Sequence, residues 1–250
     1  MKNIEYGYAL GGGGARAYFQ IGAIAALEKE KINPTYICGT SMGAVNAILL
    51  AIGMNSDELY KFYNTNHVIK MFSPSIGLKH LLSNENLGKL IKYMCNSLGY
   101  KNIEDLPIKT AICVTDNKTN KVVFLTKGDI CEAVMASSAT SMTKKIKITD
   151  ETIKKQVCEQ TGQEYIEGMK IVLKDGCYTA NVPFDGLDFI RQEKENTEFY
   201  DICFDVVPLC KKINIDAIDS FIFRFTIMIE HVKKDLKIQI RAVIWNLKNL

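Results

Sequence analysis

Hydrophobic residues recur along the chain with two periods, one typical of buried strands and the other of helices. Short apolar runs at 6–10 and 36–38 predict strands, and each is followed by a glycine-rich turn. Apolar residues at helical spacing follow each turn, over 15–31 and 42–52. The second helix is apolar on nearly every face, which is typical of a buried helix. This order of strands and helices favours a parallel sheet covered by helices.

The rest of the chain continues in the same manner, without a repeat or a linker. Further helices are predicted at 56–66 with Ser56 as N-cap, 84–98, 129–137 and 215–237. Further strands are predicted at 109–115, 121–126, 169–173 and 200–207, while 238–245 fits either a strand or more helix. Residues 149–170 are rich in polar side chains and predict a surface excursion with at most a partial helix.

Composition indicates an ordinary globular protein. Of the 250 residues, 47% are apolar and 24% are charged, and the net charge of +3 is too small to suggest a nucleic-acid partner. The eight cysteines occur singly, without metal-binding spacing, which favours reduced thiols and a cytoplasmic location. The sequence begins without a secretory signal and lacks a long uncharged apolar span, although non-classical export stays open.

One serine has the local sequence of a catalytic nucleophile. Ser41 lies in Gly-Thr-Ser-Met-Gly, between the strand predicted at 36–38 and the helix predicted at 42–52. A turn this sharp requires Gly39 and Gly43, because side chains beside the nucleophile would clash. The pattern predicts a hydroxyl exposed at the end of a strand, in front of a helix N-terminus.

A base for this serine is sought among carboxylates and histidines. Asp175, followed by Gly176, closes an apolar strand, and a partly desolvated carboxylate there is basic enough to take the serine proton. The alternative is that Asp175 is simply a turn residue. Among His67, His80 and His231, only His231 follows the usual order of hydrolase triads, and it lies within a predicted helix. A histidine-dependent esterase therefore stays a minor alternative.

The four glycines at 11–14 follow a strand and open a helix, so their amides are able to converge on an anion. In acyl transfer that anion is the tetrahedral oxyanion. Arg16 either braces this loop, contacts a phosphate, or is an exposed helix residue. A nucleotide-binding loop is weakly supported, because a P-loop requires Gly-Lys-Ser/Thr where Gly14-Ala15-Arg16 occurs.

Taken in chain order, these segments resemble the patatin-like phospholipase family. The matching segments are LGGGGAR (10–16), GTSMG (39–43), VTD (114–116), ASSA (136–139), DGCY (175–178) and NVP (181–183). The resemblance implies a three-layer α/β/α fold with a mainly parallel central sheet. It also implies calcium-independent hydrolysis of lipid acyl esters by a Ser–Asp dyad without a cofactor. Ser41 would be the nucleophile and Asp175 the base, with an oxyanion hole formed around Gly12, Gly13, Gly14 and Arg16.

Three departures from the family pattern leave the substrate open. Ala17 and Cys177 stand where the family has smaller residues, and polar residues at 140–170 replace a proline-rich segment. We expect one domain over 1–250, with a motif core at about 6–207 and a C-terminal helical segment at about 212–250.

Two functions remain in view. One is a lipid acyl hydrolase acting on phospholipid or another lipid ester. The other is a lipid- or membrane-binding regulator with the same fold and little turnover. Peripheral membrane contact is expected at 68–82 or 140–170, and the oligomeric state stays open.

Overall fold

A mixed β-sheet with helices packed against it forms the centre of the fold. The computed structural model describes residues 3–67, 71–74, 82–192, 194–208, 223–231 and 237–244. Its strands are β1 (Asn3–Leu10), β2 (Tyr36–Thr40), β3 (Ser73–Pro74), β4 (Leu82–Ser83), β5 (Lys109–Asp116), β6 (Val122–Leu125), β7 (Ile146–Lys147), β8 (Val172–Asp175), β9 (Thr197–Pro208), β10 (Phe223–His231) and β11 (Lys237–Ile244). Strands β3 and β4 form a separate pair.

Seven α-helices connect or flank these strands in the described ranges. They are α1 (Tyr18–Lys29), α2 (Met42–Ala51), α3 (Ser56–Asn66), α4 (Glu85–Ser97), α5 (Ile130–Ser137), α6 (Glu151–Thr161) and α7 (Asp185–Ile190). Short 3-10 turns occur at Gly14–Ala17, Ile103–Asp105 and Gly176–Tyr178.

The four central strands run parallel in the order β9-β1-β2-β5. Strands β10 and β11 extend the β9 side in antiparallel fashion, and β6, β8 and β7 are antiparallel additions on the β5 side. The predicted α/β class is confirmed. The sheet is mixed beyond its parallel centre.

Strand β5 receives two different strands along one edge. Val114 pairs with Val123 of β6 and with Asp175 of β8, so β6 and β8 must lie on opposite edges of β5. Cys113 pairs with β6 and with Thr40 of β2, which puts β2 on the same edge as β8. The end of β2 and the end of β8 therefore meet opposite two consecutive residues.

Alternating side chains of the central strands divide the core between the two faces of the sheet. On β5, Ile112 and Val114 join the large core cluster to which helices α1–α6 contribute. Ala111 and Cys113 face the other way, into a smaller cluster that contains Leu187 of α7. Helices thus cover both faces, as predicted, with a much thinner layer on the second face in the described part of the chain.

Most predicted elements are confirmed, with bounds shifted by a few residues, but three expectations need correction. The first concerns the cap of α3. Asn55, not Ser56, is the N-cap: its side chain accepts from the Glu58 amide at 3.0 Å, and the Glu58 carboxylate accepts from the Asn55 amide at 2.9 Å. The Ser56 hydroxyl instead donates to Glu28.

The predicted helix at 215–237 is wrong where the structure describes it. Residues Phe223–His231 form β10, which pairs along its full length with β9, and Lys237–Ile244 form β11. The predicted helical segment at 212–250 is therefore a strand pair over these residues, and its remainder lies outside the described residues. The segment is rich in Phe, Thr and Ile, which favour strands, and it pairs with the edge of β9. This long-range pairing makes the segment a strand rather than a helix.

The segment 149–170 is more regular than predicted. Helix α6 begins after Asp150, whose side chain accepts from the Ile153 amide at 3.0 Å. Ile153 and Val157 are buried in the large cluster. The Gln160 side chain both accepts from and donates to the backbone of Phe124 at 2.9 Å. This segment is part of the core rather than a surface excursion.

We expect Gly43→Ala to lower the free energy of unfolding by about 3 kcal/mol, because a Cβ at this position would lie 2.2 Å from the Leu10 carbonyl oxygen. Gly22→Ala is the matched control, since Gly22 lies on the exposed side of α1 and nothing lies within 4 Å of its Cβ position. That control should gain about 0.5–1 kcal/mol from reduced backbone entropy. Urea titration of both variants measures the difference, and equal stabilities would contradict the close approach.

Candidate active site

Ser41 occupies a strained turn between β2 and α2. Its backbone has φ 56° and ψ −124°, a conformation that residues other than glycine rarely adopt. The turn closes because Gly39 and Gly43 lack side chains: a Cβ on Gly39 would lie 2.4 Å from the Gly43 carbonyl oxygen. The Ser41 side chain is consequently presented at the end of β2, at the N-terminus of α2, and is 7% exposed.

Ser137, the last residue of α5, supports this turn by hydrogen bonds. Its hydroxyl accepts a hydrogen bond from the Ser41 amide at 2.8 Å and donates to the Cys113 carbonyl at 2.6 Å. Both bonds are buried, so the strained peptide of Ser41 is tied to β5. The sequence marked 136–139 only as a matching segment, and nothing local to Ser137 indicated this role.

Asp175 lies at the end of β8, fully buried. Its Oδ1 accepts from the Cys177 amide at 2.9 Å, whereas Oδ2 has no hydrogen-bond partner in the described structure. The backbone around it is held on both sides: its amide donates to the Ala139 carbonyl at 2.9 Å, and its carbonyl accepts from the Thr115 hydroxyl at 2.9 Å. The backbone and Oδ1 of Asp175 are therefore held in place, and Oδ2 is the atom that stays available to accept a further hydrogen bond.

Burial raises the pKa of Asp175 above its ordinary value of 3.8, because the charged form loses its hydration. The Cys177 amide and the Ser41 hydroxyl act in the opposite direction and stabilise the carboxylate. Ser41 thus faces Asp175, although no hydrogen bond of normal length joins them. The structure brings together the two residues that the sequence separates by 134 positions.

The glycine loop lies directly against Ser41. A Cβ added to Gly12 would approach the Ser41 Cβ to 3.1 Å, so only glycine allows this contact without displacement. The Gly12 amide donates to the Asn181 carbonyl at 3.0 Å and is already used. The amides of Gly13 and Gly14 have no acceptor among the described residues, which leaves two of the three predicted donors available.

Arg16 is exposed, and its Nε donates to the Gly13 carbonyl at 3.2 Å. It therefore braces the loop, one of the roles that the sequence left open. The exposed Cys177 contributes its amide to Asp175, as a smaller residue in the family pattern would.

The histidines do not gather around Ser41 in the described structure. His67 is exposed at the end of α3, and His80 lies outside the described residues. The backbone of His231 pairs with Tyr200 of β9, four residues before Phe204, whose carbonyl accepts from the Gly11 amide. Four residues of strand span roughly 13 Å, so His231 lies well below the edge that carries Ser41.

The described ranges contain no group of three or more His, Cys, Asp or Glu side chains arranged to hold a metal ion. Among their helices, none combines the length and apolar character needed to span a bilayer.

The layered fold and the serine at a strand–helix turn define an α/β protein with the local geometry of a nucleophile elbow. A family model described as patatin-like phospholipase matches residues 8–188. The chain belongs to that family, and the resemblance found in the sequence is confirmed.

Individual relatives share between a quarter and a third of their residues with this chain over the matched segments. An uncharacterized NTE family protein of Mycobacterium tuberculosis is 33% identical over 133 residues, covering 52% of this chain and 36% of the relative, and Mycobacterium bovis has a counterpart with the same values. A cUMP-AMP-activated phospholipase of Escherichia coli is 27% identical over 192 residues, covering 72% of this chain and 57% of that protein. The chain thus spans about a third of the length of the mycobacterial relatives.

Among solved structures, the type III effector ExoU is similar over 55% of this chain and 40% of its own, with 15% identity and a TM-score of 0.38.

We expect Asp175→Asn to stabilise the protein at neutral pH by about 1 kcal/mol, because it removes a buried charge with an unpartnered oxygen. The raised pKa of Asp175 means that wild type loses stability as pH rises from 3.8 through the folded-state value. The advantage of the variant should therefore grow with pH across that window and vanish below it. Urea titrations at several pH values measure this, and a variant less stable than wild type at pH 7 would contradict it.

Proposed function

We propose that the chain is a serine lipid acyl hydrolase of the phospholipase A or lysophospholipase type, acting through a Ser41–Asp175 dyad. The observation that carries the proposal is the meeting of β2 and β8 on one edge of β5, which supports a pairing of Ser41 with the buried carboxylate of Asp175 and its one free oxygen. Family membership supports lipid hydrolysis as the general chemistry.

In the first half-reaction, the Ser41 oxygen attacks the ester carbonyl carbon while Asp175 Oδ2 takes the hydroxyl proton. The carbonyl oxygen becomes an oxyanion, which the amides of Gly13 and Gly14 and the N-terminus of α2 stabilise. The tetrahedral intermediate then collapses. The lysolipid or alcohol leaves with the proton held by Asp175, and the acyl group stays on Ser41.

In the second half-reaction, Asp175 takes a proton from water, and the resulting hydroxide attacks the acyl-serine carbonyl. A second oxyanion forms in the same position, and collapse returns the proton to Ser41 and releases the fatty acid. Each amide donor of such a site contributes about 3–4 kcal/mol of transition-state stabilisation. The scheme uses amides and a helix dipole in place of a calcium ion, so we propose that turnover is calcium-independent.

A carboxylate is an effective base here because burial makes it more basic than an exposed one. The pKa of Asp175 is raised by desolvation, and the proton acceptor Oδ2 has no competing donor in the described structure. The same residue in water would hold a proton too weakly to assist the attack.

We further propose a cytoplasmic protein that contacts membranes peripherally, since its substrates lie at an interface. Because one relative is named as activated by cUMP-AMP, assays include an arm with that cyclic dinucleotide. This arm separates a need for an activator from a lack of activity.

We expect Ser41→Ala and Asp175→Asn each to lower ester hydrolysis by at least about 10³-fold, because each removes one member of the proton-transfer pair. A mixed lipid panel with products identified by mass spectrometry measures turnover, and a fluorophosphonate probe reports whether the serine is nucleophilic. Ser141→Ala and Asp185→Asn are the matched controls, since both residues are exposed.

Activity retained in either dyad variant would exclude this dyad. An unlabelled wild-type serine together with tight lipid binding would favour the membrane-binding regulator. A loss of activity in His231→Gln, which we expect to be fully active, would revive the histidine-dependent esterase.

We expect kcat/KM to rise with pH along an acid limb whose midpoint lies above 3.8, because the raised pKa of Asp175 delays formation of the basic carboxylate. A soluble ester substrate assayed between about pH 3 and about pH 9 measures the profile. A midpoint at or below the ordinary carboxyl value would show that another group is the base.

A further inference from the structure

A chain of buried hydrogen bonds runs from α3 to the glycine loop. The Tyr63 hydroxyl donates to Asn46 Oδ1 at 2.6 Å, and Asn46 Nδ2 donates to Gln20 Oε1 at 2.8 Å. Gln20 Nε2 in turn donates to the Gly11 carbonyl at 2.8 Å. All three side chains are almost completely buried, so water does not substitute for these partners.

The direction of every bond in this chain is determined by its carbonyl acceptors. Backbone carbonyls only accept, so the Gln20 amide nitrogen must face Gly11, and the Asn46 amide nitrogen must face the carbonyl of Ala17 at 3.1 Å. The Asn46 oxygen is then left to accept from Tyr63, whose hydroxyl keeps its proton because burial raises its pKa. A rotation of either amide would leave several buried groups without partners.

This chain of hydrogen bonds ends on a single peptide unit of the glycine loop and holds it in place. Its carbonyl, from Gly11, is held by Gln20, and its N–H, from Gly12, is held by the Asn181 carbonyl at 3.0 Å. With both ends held, this peptide cannot rotate. The next two amides, of Gly13 and Gly14, continue from it and are the donors without acceptors.

Polar side chains at these positions are otherwise unexpected. Helix α2 is buried along its whole length, and Asn46 is its polar exception. An apolar residue would fill the same space without the cost of desolvating an amide. A role in holding the loop explains why amides occur there.

We propose that Gln20 is a positioning residue for the oxyanion-stabilising amides of Gly13 and Gly14, oriented by Asn46 and, through it, by Tyr63. The inference rests on the proposed function. It predicts that loosening this chain slows acyl transfer without weakening substrate binding, because Gln20 and Tyr63 are almost completely buried and act only through the loop.

The test compares four variants of the full chain. Gln20→Met keeps the side-chain length but removes the amide oxygen and nitrogen, and Tyr63→Phe removes only the hydroxyl at the far end of the chain. Gln160→Met is the matched control for a glutamine that holds backbone elsewhere, on β6. Tyr18→Phe is the control for Tyr63→Phe, since its ring lies 5.7 Å from that of Tyr63 but its hydroxyl donates to Asn64 at the surface.

For each variant we measure kcat and KM on a soluble ester, the rate of Ser41 labelling by a fluorophosphonate, and thermal unfolding. As the serine oxygen attacks phosphorus and fluoride leaves, negative charge develops on the phosphonyl oxygen in the oxyanion position, so the labelling rate reports on the loop independently of lipid binding. All rates are taken well below the lowest unfolding temperature in the set, so partial unfolding does not lower them.

We expect Gln20→Met to lower kcat and the labelling rate by roughly 10- to 100-fold with KM within about 3-fold of wild type. Tyr63→Phe should lower both rates by about 3- to 10-fold. Both controls should stay within about 2-fold of wild type. If Gln20→Met does not fold, Tyr63→Phe carries the test alone.

Wild-type rates in a folded Gln20→Met or Tyr63→Phe would overturn the positioning role and leave the dyad intact. A rise in KM with unchanged kcat would also overturn it, since it would indicate substrate contact. Wild type that is neither labelled nor active, both with and without cUMP-AMP, would instead refute the proposed function itself.

Discussion

Cys113 and Val114, two consecutive residues of β5, receive the ends of two strands that run in opposite directions. Strand β2 arrives in parallel and ends at Thr40 opposite Cys113, while β8 arrives antiparallel and ends at Asp175 opposite Val114. Because backbone pairing fixes both registers, the residues that follow or close these strands must meet. The candidate site depends on this shared edge, and a shift of either register by one residue would turn a side chain to the other face.

Close backbone approach joins the rest of the site to that edge. The first turn of α2 lies so near the end of β1 that a Cβ at Gly43 would overlap the Leu10 carbonyl, and a Cβ at Gly12 would lie 3.1 Å from the Ser41 Cβ. The strained backbone of Ser41 persists because the surroundings hold it, with its amide bound to Ser137 and its carbonyl capping α2. Strand, loop and helix are thus one packed unit.

Two buried carboxylates differ in whether both of their oxygens have partners in the fold. Asp201 on β9 is fully buried but accepts from the Tyr36 hydroxyl at 2.5 Å and pairs with Arg191, which joins β9, β2 and the segment after α7. Burial raises the pKa of both carboxyl groups, but the Tyr36 hydroxyl and the Arg191 charge stabilise ionised Asp201, whereas Asp175 keeps an unpartnered oxygen. A satisfied carboxylate supports the structure, and an unsatisfied one is available for proton transfer.

The sequence by itself determined the local features. The elbow at Ser41, the glycine loop at 11–14 and the position of Asp175 at a strand end were readable because their glycine requirements are met within a few residues. Tertiary structure decided which of these residues meet, that the Gly12 amide is used by Asn181, and that Gln20 and Asn46 join in one buried chain. It also made a strand of Phe223–His231, where the sequence predicts a helix. The physical reason is the same in each case: strand pairing and the satisfaction of buried polar groups depend on partners that are remote in sequence.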